Sequence, residues 1–194
     1  MKFSYPKGAT PLDQNEINGL IPSGMTRQSE LNELEEANIL KAQQWSLTRK
    51  SNKYLSVDYL KKLHSKMFDE VWTWAGTFRK TNKNIGVDKS IIQIELKKLL
   101  DDTSYWIPQK TYDWIELGAR FHHRLVSIHP FPNGNGRHSR LMTDILLLQN
   151  NQKRFSWGMG SLVDEGTLRH TYISALKKAD NNDYTPLIDF VSRK

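Results

Sequence analysis

Residues 129–140 of this chain, HPFPNGNGRHSR, combine a histidine, closely spaced glycines and two arginines, residue types that could move a proton and bind an anion. The imidazole of His129 can accept a proton near neutral pH. Glycines in the stretch Gly134–Gly136 permit positive φ values, which turn successive backbone N–H groups inward as an anion nest. Arg137 and Arg140 lie three residues apart in a first helical turn, so their phosphate-binding guanidinium groups share one face.

This spacing favours a polyphosphate site with a base beside it, because phosphoryl and nucleotidyl transfer depend mainly on positioning and charge neutralisation. Taken singly, each residue also fits an ordinary helix–helix loop with a buried histidine and surface arginines. Pro130 would end the preceding helix, and Phe131 would anchor the loop in the core. A new helix beginning at about Gly136 would direct its free N–H groups and positive dipole end toward an anion.

The elements that position this segment are predicted to be helices. Residues 77–87, TFRKTNKNIGV, instead lack a helical stripe, and their Asn-Lys-Asn centre predicts a small hairpin. Residues 1–28 are rich in proline and glycine and predict an irregular N-terminal arm without a helix of its own. The sum is an all-α bundle with one short β-hairpin, in one domain over residues 29–194. Helices are predicted to start near Ser29 and Ser56 and to span about residues 91–107, 112–128, 136–149, 165–179 and 184–193.

Composition narrows the class of protein. The 194 residues include no cysteine, which excludes disulfides and a cysteine nucleophile. No apolar run is long enough for a membrane span or a signal peptide, so a cytoplasmic location is predicted. The formal net charge is +7, but the basic residues are scattered. That distribution favours a phosphate-bearing ligand and a basic surface over nucleic acid.

The motif HPFPNGNGRHSR resembles the signature of the Fic family, H-P-F-x-(D/E)-G-N-G-R-x-x-R. Further stretches, ATPLD, WAGTFR and YISALKKAD, are similar to the Fic/DOC subgroup called mobile mystery protein B. The resemblance implies a helical Fic fold whose hairpin is a flap that pairs with a target protein. It also implies transfer of AMP from ATP to a Ser, Thr or Tyr hydroxyl of that target.

The resemblance assigns roles to particular positions of this chain. His129 would deprotonate the target hydroxyl, Arg137 would bind phosphate oxygens, and Arg140 would orient the distal phosphate. Tyr172 fits a site near the adenine and a core-facing aromatic equally well. The nucleotide-binding set implied by the resemblance is Lys83, Asn84, Ile85, Gly86, Asn133, Gly134, Asn135, Gly136, Arg137, Arg140, Tyr172, Ile173 and Asp180.

Asn133 stands where the family pattern has Asp or Glu, the carboxylate that holds Mg²⁺ on the phosphates. An amide oxygen is a hard ligand without charge, so weak Mg²⁺ binding is expected. The substitution leaves open transfer of another phosphate-linked group, or a nucleotide-binding regulatory module with weak catalysis.

Two stretches resemble the inhibitory sequence of the family, whose Glu pairs with the second motif arginine. Residues 161–166, SLVDEG, fit the pattern, but they also fit a helix N-cap, which we favour. Glu35 and Glu36 lie on the first long helix and could reach Arg140, or they could form a solvated acidic face. If neither acts, an antitoxin-like partner is the alternative restraint.

Overall fold

The computed structural model describes residues 10–48, 50–160, 162 and 166–193. Helix dominates these ranges, which confirms the all-α prediction. Two 3₁₀ turns, Lys89–Ile91 and Trp157–Met159, lie between helices. The α-helices of the described ranges are α1 (Gln14–Ile17), α2 (Gln28–Leu47), α3 (Val57–Phe68), α4 (Ile92–Gln109), α5 (Trp114–Ile128), α6 (Asn135–Gln149), α7 (Thr167–Ala179) and α8 (Thr185–Ser192).

The described part of the N-terminal arm contains a short helix that the sequence-based prediction missed. Asp13 accepts the N–H of Glu16 at 3.0 Å, and the Glu16 carboxylate accepts the N–H of Asp13 at 2.8 Å. This reciprocal capping box stabilises the one turn of α1. The arm then bonds to the segment after α3 through an isolated antiparallel bridge between Leu20 and Trp72. The predicted domain boundary after residue 28 stays a prediction.

Residues 77–87, called the flap loop below, form a loop without strand pairing where the sequence predicted a small hairpin. The two ends of the loop bond instead to the last residue of α5 and to the segment that follows it. Arg79 N–H donates to the Pro130 carbonyl at 3.0 Å, and Val87 N–H donates to the Ile128 carbonyl at 3.4 Å. The flap loop therefore lies directly over the end of α5.

Helix α5 is the central element because its two faces belong to different hydrophobic clusters. Leu117, Phe121 and Leu125 recur at four-residue intervals and pack into the cluster formed with α2, α3, α4 and α6. Ala119 lies on the opposite face and packs with residues of α7 and α8. Helix α5 is thus packed on both sides. No helix of the described ranges is long and apolar enough to span a bilayer.

Five histidines are buried in the described interior, and burial lowers the pKa of four of them. Burial lowers the pKa of His122 to about 3, with the nearby Arg140 charge adding to the effect. Burial also lowers the pKa of His129 to about 4 and of His138 to about 4, and it holds the pKa of His64 well below the usual range. Each of these four rings is therefore neutral at pH 7 in the folded state.

These histidines predict a stability that falls on acidification. The unfolded rings take up protons below about pH 6.5, whereas the folded rings do not until about pH 4 or below. Each ring thus lowers the free energy of unfolding by up to about 1.4 kcal/mol per pH unit as pH falls through that window. Asp144, whose pKa burial raises to about 6, opposes part of this loss. Urea unfolding between pH 8 and 5 measures the slope.

A matched variant checks the source of the slope. His138→Gln keeps a side-chain donor for the Leu60 carbonyl, which the ring nitrogen Nε2 contacts at 3.0 Å. The variant should show a shallower fall in stability between pH 6.5 and 5 than the wild type. Unfolding free energies that stay flat over this range in the wild type would contradict the prediction.

Candidate active site

A cavity of about 630 Å³ opens where α2, the flap loop, the start of α6 and α7 meet. Most side chains predicted from the sequence to bind nucleotide line this cavity. Lys83 and Asn84 do not, and neither does Glu36, which is exposed on α2. The predicted residues that do line it are Glu35, Ile85, Gly86, His129, Asn133, Gly134, Asn135, Gly136, Arg137, Arg140, Tyr172, Ile173 and Asp180.

The motif loop, residues 129–134, is fixed from beneath by buried polar side chains. Asn135 accepts the N–H of Phe131 at 2.9 Å and donates to its carbonyl at 2.8 Å. The side-chain amide of Asn135 is therefore engaged in holding the loop. Only its backbone N–H remains for the nucleotide binding that the sequence predicts. On the other side His64 accepts the N–H of Gly76 on Nδ1 and donates from Nε2 to the Asn133 carbonyl at 3.0 Å.

Phe131 anchors this loop in the core, as its sequence position predicts. Its side chain is completely buried, and its ring stacks on that of His64 with 3.7 Å between centroids. Gly134 follows with φ of +76°, and a Cβ at this position would lie 2.5 Å from the Phe68 ring. Only glycine therefore allows the turn that starts α6. The first N–H groups of α6 have no helical carbonyl partner and lie at the cavity wall.

His129 ends α5 in the left-handed conformation, with φ of 53°. This geometry is uncommon for a residue with a Cβ, and it turns the imidazole into the cavity while leaving it only 6% exposed. Burial, aided by the charge of Arg79, lowers the pKa of His129 to about 4. A neutral ring at pH 7 has one nitrogen free to accept a proton. Gly86 leaves space for this ring, because a Cβ there would lie 2.7 Å from the His129 Cβ.

Arg79 couples the flap loop to His129. Its Nε donates to the His129 carbonyl at 2.7 Å, and its Nη1 donates to the Thr81 carbonyl at 2.9 Å. The remaining nitrogen, Nη2, donates to the Val87 carbonyl at the far end of the loop. One buried guanidinium thus joins both ends of the flap loop to the residue that carries the imidazole. Sequence reasoning assigned Arg79 no role, because its partners are backbone carbonyls that no sequence pattern marks.

The two motif arginines have different surroundings. Arg137 forms an ion pair with Glu35, with 2.5 Å between Nη1 and Oε2, and lies over the Phe68 ring. Arg140 lies over the ring of Tyr172 at 5.8 Å. The prediction that Glu35 or Glu36 contacts Arg140 is therefore wrong, because Glu35 pairs with Arg137 and Glu36 is exposed. Helix α2 directs Glu35 toward the first motif arginine, where Trp72 Nε1 also donates to its Oε1 at 2.6 Å.

Tyr172 is buried and also borders the cavity, so its assignment to the adenine stays a prediction. It is 6% exposed, its hydroxyl lies 2.8 Å from His122 Nε2, and its ring also borders the cavity. Asp180 lies at the end of α7, with its carboxylate 2.8 Å from Nε2 of His123. Within the candidate inhibitory stretch 161–166, residues Ser161, Val163, Asp164 and Glu165 lie outside the described residues, so its role stays a prediction.

The residues around Asn133 do not fit a resident Mg²⁺ ion. The Asn133 amide oxygen already accepts the N–H of Gly134 at 2.5 Å and lies 3.5 Å from Nη2 of Arg137. A neutral oxygen beside a guanidinium charge is a poor ligand for a hard cation. The described residues also contain no group of three or more histidine or acidic side chains that could hold a metal.

The central segment of the chain is similar to a known protein family. Residues 54–147 match the family model described as the Fic/DOC family. The chain is 28% identical over 196 residues to the protein adenylyltransferase Fic of Nematostella vectensis, covering 99% of this chain and 40% of that protein. It is 26% identical to the protein adenylyltransferase fic-1 of Caenorhabditis elegans, covering 76% of this chain and 28% of that protein. The chain therefore spans less than half the length of these relatives.

Solved structures share the fold. The BepC effector protein of Bartonella tribocorum, crystallised with bound AMPPNP, superposes with a TM-score of 0.71 at 18% identity, covering 92% of this chain and 96% of that one. Fic-1 of C. elegans superposes with a TM-score of 0.67 at 24% identity, covering 90% of this chain and 51% of that one. The Fic-fold prediction is thereby confirmed.

We expect Arg79→Lys to loosen the flap loop while leaving the helices intact. A lysine ammonium cannot reach all three carbonyls, and each lost charged hydrogen bond costs about 1.5–3 kcal/mol. Hydrogen exchange of peptides from residues 77–87 should therefore accelerate about tenfold or more, since 1.4 kcal/mol corresponds to a factor of ten. Arg154→Lys, on an exposed position, is the matched control. Unchanged exchange in the flap loop would contradict the positioning role.

Proposed function

We propose that this chain transfers AMP from ATP to a hydroxyl of a target protein, and the match of residues 54–147 to the Fic/DOC family model supports this activity. The observation that carries the proposal is the shared cavity of His129 and the N-terminus of α6. A neutral imidazole and a set of free backbone N–H groups face the same space there. The names of the relatives, protein adenylyltransferases, support the same activity.

The proposed reaction is a nucleotidyl transfer with His129 as the base. The target Ser, Thr or Tyr hydroxyl donates its proton to His129 Nε2, and its oxygen attacks the α-phosphorus of ATP. The bond between the α-phosphorus and the bridging oxygen breaks, and pyrophosphate leaves. The first N–H groups of α6 and the guanidinium groups of Arg137 and Arg140 stabilise the charge on the phosphate oxygens. All of these groups line one cavity, which supports the assignment.

The adenosine end of ATP is assigned to the opposite wall of the cavity. Tyr172 and Ile173 provide apolar surface there, and Asp180 provides a hydrogen-bond acceptor. The flap loop, with Ile85 and Gly86 at the cavity edge, is assigned to the target. Its backbone has no strand partner among the described residues, so an extended target segment could pair with it.

No step of this mechanism passes through a metal held by the protein. Since Asn133 supplies a neutral oxygen already bonded to Gly134, a Mg²⁺ ion would enter as part of the ATP substrate. The same feature favours the second candidate, a nucleotide-binding module with weak catalysis. Calorimetry with ATP separates the two when combined with a labelling assay, because the module binds nucleotide without modifying any protein.

Glu35 is the residue that we assign to internal inhibition. Its carboxylate neutralises the Arg137 guanidinium, which the reaction needs for phosphate. Nucleotide binding must then break a half-buried ion pair before Arg137 can contact phosphate.

Three further predictions from the sequence stay predictions: an antitoxin-like partner, membership of the mobile mystery protein B subgroup, and a cytoplasmic location.

His129→Ala should reduce the transfer of label from α-labelled ATP to proteins of a lysate by about 10²- to 10⁴-fold, the usual contribution of a general base. Gel autoradiography measures the label, and circular dichroism checks that the helices persist. His170→Ala, an exposed position on α7, is the matched control and should label like the wild type. Equal labelling by His129→Ala and His170→Ala would exclude His129 as the base.

Glu35→Gln should increase labelling by roughly tenfold, a typical size for coupling between an inhibitory contact and a ligand. The amide keeps an acceptor for Trp72 Nε1 but removes the charge that competes with phosphate for Arg137. Glu36→Gln changes the exposed neighbour on α2 and should have no effect. Nucleotide affinity from calorimetry should rise in parallel. Equal labelling and affinity in the two variants would remove Glu35 from regulation.

A further inference from the structure

The N-terminal arm places a hydroxyl of this chain against the proposed base. Thr10 Oγ1 lies 3.0 Å from Nε2 of His129, and both side chains are buried. Thr10 also lines the cavity that we assign to ATP. This contact joins residues that are 119 positions apart, so local chain geometry does not produce it.

Several contacts hold the arm in this position on the flap loop. Lys83 forms an ion pair with Glu16, 2.5 Å from Nζ to Oε2, and both side chains are largely buried. Thr81 donates its hydroxyl to Asp13 at 3.0 Å. Trp74 Nε1 donates to the Glu16 carbonyl at 2.9 Å. The arm therefore occupies the side of the flap loop that borders the base, and Lys83 serves the arm rather than the nucleotide.

The other hydroxyl groups that line the cavity within the described residues have different partners. Ser127 Oγ lies 3.4 Å from His123 Nε2, and the Tyr172 hydroxyl lies 2.8 Å from His122 Nε2. Thr10 alone among these three contacts His129. Its hydroxyl has the position that the proposed reaction requires of an acceptor.

We infer that Thr10 is an intramolecular acceptor, so that the chain adenylylates its own N-terminal arm. The inference rests on the proposed function. The Thr10 hydroxyl gives its proton to His129 Nε2 while Oγ1 forms a bond to the α-phosphorus of ATP. The bond to the bridging oxygen breaks, pyrophosphate leaves, and a phosphodiester joins Thr10 to AMP. The proton passes from His129 to pyrophosphate or solvent.

Burial of His129 is consistent with this role. Its lowered pKa keeps the ring neutral at pH 7, so Nε2 is available to accept the proton. The cavity of about 630 Å³ extends from Thr10 past the N-terminus of α6 to Tyr172, which leaves space for a nucleotide beside the hydroxyl. An external target must displace the arm from the base. Modification of Thr10 therefore competes with modification of other proteins.

The experiment incubates the full chain with ATP and locates any adenylyl group by intact mass and peptide sequencing. It is run in the wild type and in Glu35→Gln, so that inhibition by Glu35 does not hide the reaction. We expect one adduct, on Thr10. Thr10→Val, which lacks the hydroxyl, should lose the adduct completely, and Thr10→Ser should keep it. Thr26→Val, an exposed arm position, is the matched control and should keep it.

A mixing experiment tests whether the reaction is intramolecular. His129→Ala protein, distinguished by a mass tag, is incubated with Glu35→Gln protein and ATP. An intramolecular acceptor leaves Thr10 of the His129→Ala chains unmodified, and the rate per molecule does not change with protein concentration. Adducts on Thr10 of the His129→Ala chains would overturn the inference.

A parallel lysate assay separates failure of this inference from failure of the proposed function. Lysate proteins that become labelled while Thr10 stays unmodified would overturn the self-modification alone. A chain that labels neither lysate proteins nor itself would overturn the proposed function, and the inference with it. An adduct that persists in Thr10→Val would show that another residue is the acceptor.

Discussion

The motif loop keeps its conformation because two buried side chains bond its backbone polar groups. Asn135 bonds both the N–H and the carbonyl of Phe131, and His64 donates to the carbonyl of Asn133. A buried loop without such partners would leave polar groups unsatisfied at a cost of about 1–3 kcal/mol each. Once the loop is fixed, the left-handed turn at Gly134 sets the direction of α6 and the place of its free N–H groups.

The flap loop and the end of α5 behave as one unit because Arg79 bonds both. Its three donors reach the His129, Thr81 and Val87 carbonyls. The position of the imidazole therefore depends on the flap loop, which is also the surface assigned to the target. A change in one affects the other through a rigid, planar and permanently charged group.

The cavity is occupied at two points by groups of the same chain. Thr10 contacts the imidazole at one end, and Glu35 pairs with Arg137 at the phosphate end. Each group is chemically similar to the ligand whose proposed place it takes. The Thr10 hydroxyl lies where the acceptor hydroxyl would bind, and the Glu35 carboxylate lies where phosphate would contact Arg137. Under the proposed function, the N-terminal arm would control access of the acceptor and α2 would control access of the nucleotide.

The sequence alone determined the helical class, the motif loop and the side chains of its site, because these depend on local periodicity, on Gly and Pro, and on contiguous spacing. It also carried the family signature on residues 129–140. Only the tertiary structure decided that Glu35 pairs with Arg137, that Lys83 bonds the arm, and that Arg79 and Thr10 contact His129. These contacts join residues between 50 and 119 positions apart, and the packing of α2, the arm and the flap loop around α5 brings them together. The local sequence pattern does not predict these contacts, because three of them join side chains that only tertiary packing brings together. The fourth, from Arg79, uses a backbone carbonyl, a group that every residue possesses.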